Sequence, residues 1–233
     1  MKLVLFDVDG TLLWTDGAGR RAIHQALLDE AGTAGPIDTF RFDGKTDPQI
    51  VQELLSLARH PRAGDNAMIQ AVCRRYVNHL RAELDRPSQA TKLLAGIQPL
   101  LAALEPHETA GRALVGLLTG NVAAGAALKL RSAGLDPERF RVGAFGSDSA
   151  RRGELPQVAA ARASALTGRH FAGADVVILG DTPDDVACGR SIGARSVAVA
   201  TGFYDVPALR ACGASYVFET LADTRAVLGA IFA

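Results

Sequence analysis

Leu3-Val4-Leu5-Phe6-Asp7-Val8-Asp9-Gly10-Thr11 stands almost at the start of the chain. Its four apolar residues read as a buried strand, and that strand empties into two carboxylates two residues apart. Buried acids are costly unless something pairs with them. Strand periodicity predicts that both Asp side chains lie on one side, with Val8 between them. Gly10 and Thr11 supply a turn. A bound divalent cation is the simplest way to stabilise such a pair, and Asp is also a competent nucleophile.

Outward from this stretch, apolar runs recur at 114–118, 142–145, 175–179 and 195–199. Helical patterns lie between them: Val122 to Ala133 before Gly134, and Leu155 to Leu166 before Gly168. Alternating strands and helices predict an α/β fold, a Rossmann-like parallel sheet with helices on both faces. The gap after the first strand is helical instead, with helices expected over Arg20 to Ala31, Asp47 to Ala58 and Ala67 to Leu84. Residues 16–88 therefore read as an inserted all-helical cap. Its hinges fall at Asp16-Gly17-Ala18-Gly19 and near Arg86-Pro87-Ser88, and residues 1–15 and 89–233 form the core. Leu93 to Leu104 is expected to resume the core as a helix.

Of 233 residues, 48% are apolar and 21% charged, with 25 charges of each sign. That balance is ordinary for a globular protein and favours neither nucleic acid nor an acidic membrane as partner. Phosphate binding, if present, is local to one site. Cys73, Cys188 and Cys212 are odd in number, lack zinc spacing and read as reduced thiols. No apolar run approaches a membrane span and the N-terminus lacks the order of a signal peptide, so a cytoplasmic location is expected.

Each later strand run is followed by polar residues: Thr119-Gly120-Asn121, then Arg151-Arg152, then Asp181-Thr182-Pro183-Asp184-Asp185. With Asp7-Val8-Asp9-Gly10-Thr11, the set resembles the four motifs of the haloacid dehalogenase superfamily in that family's order, over nearly the whole chain. The helical cap and the Gly-Asp-Thr-Pro-x-Asp motif are most similar to the phosphoglycolate phosphatase group.

The resemblance implies a role for each motif. Asp7 would attack phosphorus to form an aspartyl-phosphate, and Asp9 would give a proton to the leaving oxygen and take one from water. Thr119, with Gly120 and Asn121, would hold the phosphate at a helix N-terminus. Asn121 also suits the N-cap of that helix. The third motif departs from the family, having no lysine: Arg151 and Arg152 are both available as the cation, and Arg152, nearer the start of the following helix, is the expected one. Magnesium would be held by Asp7, the carbonyl of Asp9 and Asp181, with Asp185 as a further or water-mediated ligand. Thr182-Pro183-Asp184-Asp185 equally reads as a capped helix start. Lys45 either reaches the substrate or is solvated, and Trp14 either lines the cleft or packs the hinge.

The expectation is a phosphoric monoester hydrolase acting, as monomer or homodimer, on a small phosphorylated metabolite. A haloalkanoate dehalogenase needs neither Asp9 nor Asp181. A hexose-phosphate mutase of the same fold shares all four motifs. A non-catalytic phosphate-binding module would have no reason to keep clustered carboxylates.

Overall fold

Continuous apolar runs form strands here because both faces of the sheet are covered. In the computed structural model, which describes residues 1–233, the strands are β1 (Lys2–Phe6), β2 (Leu13–Trp14), β3 (Lys92–Leu93), β4 (Ala113–Thr119), β5 (Val142–Phe145), β6 (Val176–Gly180), β7 (Arg195–Val199) and β8 (Tyr216–Phe218). Six of them make one parallel sheet in the order β5-β4-β1-β6-β7-β8. β1 sits between β4 and β6, with Phe6 level with Leu117 on one side and Leu179 on the other. The ends of these three strands therefore open side by side at the carboxyl edge, where open α/β sheets bind ligands.

Side chains alternate across the sheet with period two. Val4 and Phe6 join the cluster beneath α4 (Ile97–Thr109), α5 (Ala123–Ser132) and α9 (Thr224–Phe232). Leu3 and Leu5 face the opposite cluster, closed by Ala159 and Ala163 of α6 (Leu155–Thr167) and Cys188 of α7 (Pro183–Cys188). α8 (Val206–Ala211) covers the β7–β8 edge through Leu209. Between β2 and β3 run α1 (Ala18–Ala31), α2 (Asp47–Leu57) and α3 (Asn66–Leu84), around an apolar cluster of their own that includes Ile23, Leu54 and Tyr76. No helix is long and apolar enough to cross a membrane.

Two local expectations change. The predicted helix from Leu93 begins only at Ile97, because Lys92–Leu93 pairs antiparallel with Leu13–Trp14 and Leu94 donates to the Leu12 carbonyl. Gly96, at φ 88, then sets the left-handed turn into α4. The short edge strand β8 was not expected; its three residues are only half-buried or exposed and carry little apolar signal.

Candidate active site

β1 ends at Phe6, so Asp7 is the first residue beyond it, tied in place by its N–H to the Leu179 carbonyl at 2.9 Å. From the end of β6, Asp181 and Asp185 bring their carboxylates within 4.8 Å of that of Asp7, and all three residues are buried. Thr11 donates to Asp181 Oδ1 at 3.1 Å. Gly10 and Gly202 flank the same carboxylate so closely that a Cβ on either would overlap it.

Arg152 reaches these acids and Arg151 does not. The Arg152 guanidinium is buried, its Nη2 bonded to Asp185 Oδ1 and 3.3 Å from Asp7 Oδ1. Its Nε has no partner. Arg151 is 84% exposed at its side chain and pairs with Glu154. Asp185 serves both readings of its motif: Oδ2 accepts from the Thr182 N–H at 3.0 Å and hydroxyl at 2.6 Å, closing a capping box, while Oδ1 faces Arg152.

Three buried carboxylates facing one guanidinium leave an excess of negative charge. Burial pushes the Asp7 carboxyl up to about 7, against the pull of Arg152 and with added repulsion from Asp185 and Asp9. Burial, then the charges of Asp185 and Asp7, also hold Asp181 well above the usual carboxylate range. An all-oxygen donor set with this unbalanced charge suits a hard divalent cation such as magnesium. Burial likewise pushes the Cys188 thiol up to about 12, so it is a packed, unreactive neighbour.

Asp9 behaves differently from the strand-period expectation. Its side chain is 32% exposed and outside the metal-type cluster, because the strand has already ended and the chain is turning. Asp9 Oδ2 accepts from Asn121 Nδ2 at 2.7 Å and Lys129 Nζ at 2.6 Å. Lys129 also donates to Asn121 Oδ1 at 2.6 Å. Lys129 was missed in the sequence. The usable signal was a lysine beside Leu130 and one helical turn from Ala126 and Gly125, on the buried face of α5.

At the end of β4, the Thr119 hydroxyl accepts from the Asn121 N–H at 3.3 Å and Nδ2 at 2.8 Å, leaving its own proton unspent. Asn121 does not cap the next helix, which starts one residue later with Val122 as N-cap. Asp47 of α2 satisfies a different donor at this helix start, accepting from the N–H of Val122 itself at 2.8 Å. The Asp47 N–H donates to the Gly120 carbonyl at 2.8 Å, and the Thr46 hydroxyl donates to the Ala150 carbonyl at 2.8 Å. A Cβ at Gly120 would overlap the Lys45 carbonyl, so the close approach needs glycine. Lys45 lines the cleft, with its ammonium paired to Glu53 at 2.9 Å.

Asp7, Asp9, Lys45, Thr119, Asn121, Arg152 and Asp181 border one cleft of about 270 Å³ between the sheet edge and α1–α3, and Asp185 lies behind it. Trp14 lines it too, its indole N–H on the Thr201 carbonyl at 3.2 Å and its ring edge-on to Phe203, which is 71% exposed.

The model of the haloacid dehalogenase-like hydrolases matches residues 4–190. No curated protein sequence matches the chain. Among solved structures, a hydrolase from Pseudomonas syringae superposes with a TM-score of 0.73 at 19% identity, covering 98% of each chain. A predicted phosphoglycolate phosphatase from Haemophilus somnus gives 0.68 at 17%, again covering 98% of each. CbbY from Rhodobacter sphaeroides, in complex with xylulose-(1,5)bisphosphate, gives 0.70 at 20%, covering 96% of each. At these identities the likeness is one of fold.

Proposed function

The chain belongs to the haloacid dehalogenase-like hydrolases, and from that membership we propose that it is a magnesium-dependent phosphatase. Its substrates would be small phosphomonoesters of phosphoglycolate-like size. The observation that carries this reading is the gathering of Asp7, Asp181 and Asp185 around Arg152, beside Thr119 and Asn121.

In the first step an oxygen of Asp7 bonds to phosphorus while the ester P–O bond breaks. Asp9 gives its proton to the departing alkoxide, yielding a free alcohol and an aspartyl-phosphate. In the second step water attacks that phosphorus, Asp9 takes the water proton, and the Asp7–phosphorus bond breaks to release phosphate. The Thr119 hydroxyl and the unpartnered Arg152 Nε offer donors to the phosphoryl oxygens. Asp7, Asp181 and the Asp9 carbonyl would hold magnesium, with Asp185 as a further or water-mediated ligand, and the ion when bound offsets repulsion between substrate and acids.

In this reading residues 16–88 act as the cap, limiting substrate size and excluding bulk water once the cleft is occupied. The test is release of inorganic phosphate from a panel of small phosphomonoesters, with magnesium and with chelator. Magnesium-dependent turnover that Asp7→Asn abolishes is expected. Folded wild-type protein that releases no phosphate from any ester would overturn the reading. Phosphate kept on the product, with a need for a bisphosphate activator, would make the protein a mutase.

A further inference from the structure

Lys129 is a cation that the phosphatase chemistry above does not use. It is 4% exposed, in the middle of an alanine-rich helix whose neighbouring buried positions are Gly125, Ala126 and Leu130. Taking an ammonium out of water costs several kcal/mol, so its partners have to compensate. Those partners form a closed ring: Lys129 to Asp9 Oδ2, Lys129 to Asn121 Oδ1, and Asn121 Nδ2 back to Asp9 Oδ2. Gly19 of α1 packs beside the ammonium, and a Cβ there would stand 3.4 Å from Nζ, at ordinary contact distance. The other charge facing it is Asp47, from α2.

The ring treats the two oxygens of Asp9 unequally. Oδ2 accepts two hydrogen bonds, one of them from a cation, while Oδ1 accepts none from the protein. An acid–base group works best when one oxygen is held and the other faces the reacting atoms. Asn121 alone would leave a carboxylate that is one-third exposed able to turn about its last bond.

We propose that Lys129 is a positioning residue: with Asn121 it pins Oδ2 of Asp9 and reserves Oδ1 for the proton exchanged with the leaving oxygen and then with water. This rests on the phosphatase reading. It predicts a signature that a purely structural lysine would lack, because proton donation matters for a poor leaving group and hardly at all for a good one.

The test is kcat/KM for wild type, Lys129→Met, Lys129→Arg and Asp9→Asn, on phosphomonoesters ranging from a nitrophenyl to a simple alkyl ester. Lys129→Met should lose about 10²-fold on the alkyl ester and less than about threefold on the nitrophenyl ester. Lys129→Arg should recover part of the alkyl activity, and Asp9→Asn should show the same leaving-group dependence. Equal losses across the series would overturn the proposal. In the Asp9→Asn background, Lys129→Met should cost nothing further, since both act through one group; an additional tenfold loss would also overturn it. That double variant removes both charges together, so the comparison stands even if Lys129→Met alone fails to fold. Wild-type protein inactive on every ester would refute the phosphatase reading itself, and the lysine's role with it.

Discussion

The carboxylate of Asp47 accepts the backbone N–H of Val122, so a residue of α2 satisfies a backbone donor at the start of α5. Burial pushes the Asp47 carboxyl up to about 6, against the opposing pull of Lys129 and the Val122 N–H. The bond is useful and the charge is not. Asp47→Asn keeps an acceptor and removes the buried charge, whereas Asp47→Ala leaves the Val122 N–H unpaired. We expect the Asn variant to be more stable than the Ala variant by about 1–2 kcal/mol in urea unfolding at neutral pH. Equal stabilities would show that the bond contributes nothing.

Arg152→Ala should be severe and Arg151→Ala close to silent. The first leaves Asp7, Asp181 and Asp185 without their cation, which for a buried partner costs about 3–5 kcal/mol. The second removes an exposed pair with Glu154, within about 0.5 kcal/mol of neutral. Thermal melts and phosphate release on both variants check this, with a loss of at least about 10²-fold expected only for Arg152→Ala.

The pH dependence of stability follows from carboxyls whose folded values are raised. Such a group favours the folded state below its unfolded value near 3.8, and that contribution is lost as pH rises through the folded value. For Asp47 and Asp7 the windows run from 3.8 up to about 6 and about 7. In chelator, the Tm of the wild type should therefore fall between pH 5 and pH 8. Asp7→Asn, lacking the higher-titrating carboxyl of these two, should fall less and melt on the order of several °C above wild type at pH 8. A wild-type Tm that climbs over this range would contradict the assignment.

Gly202→Ala should act on metal affinity rather than on the fold. Its Cβ would overlap Asp181 Oδ2, and the carboxylate has to move. The magnesium concentration for half-maximal activation should rise about 10–100-fold, with Tm in chelator little changed. Unaltered activation would remove Asp181 from the metal site.

The sheet was legible in the sequence because its strands are buried on both faces and read as unbroken apolar runs, as at Leu3 to Phe6 and Leu114 to Leu118. The strand β8 was not, since a half-exposed edge has no such run. In the candidate site, residues at strand ends were readable by position, and the structure brings Asp7, Asp181, Asp185 and Arg152 together. Spacing could not say which arginine turned inward; packing against Asp185 decides that. Nor could it show Asp9 joining Asn121 and Lys129, because strand period loses its meaning one residue past Phe6. Asp47 was expected at the start of a helix and is found there, while the Val122 N–H that its carboxylate accepts lies 75 residues away.

The short pairing of Leu13–Trp14 with Lys92–Leu93 places the two crossings of the polypeptide side by side. Whatever lies between them begins and ends at one doorway, so its length and shape are not dictated by the sheet. A different helical bundle could be spliced at that doorway with little change in closure entropy. The part of the chain that carries Asp7, Asp181 and Asp185 is thus joined to the helices that wall the cleft at a single two-stranded crossing.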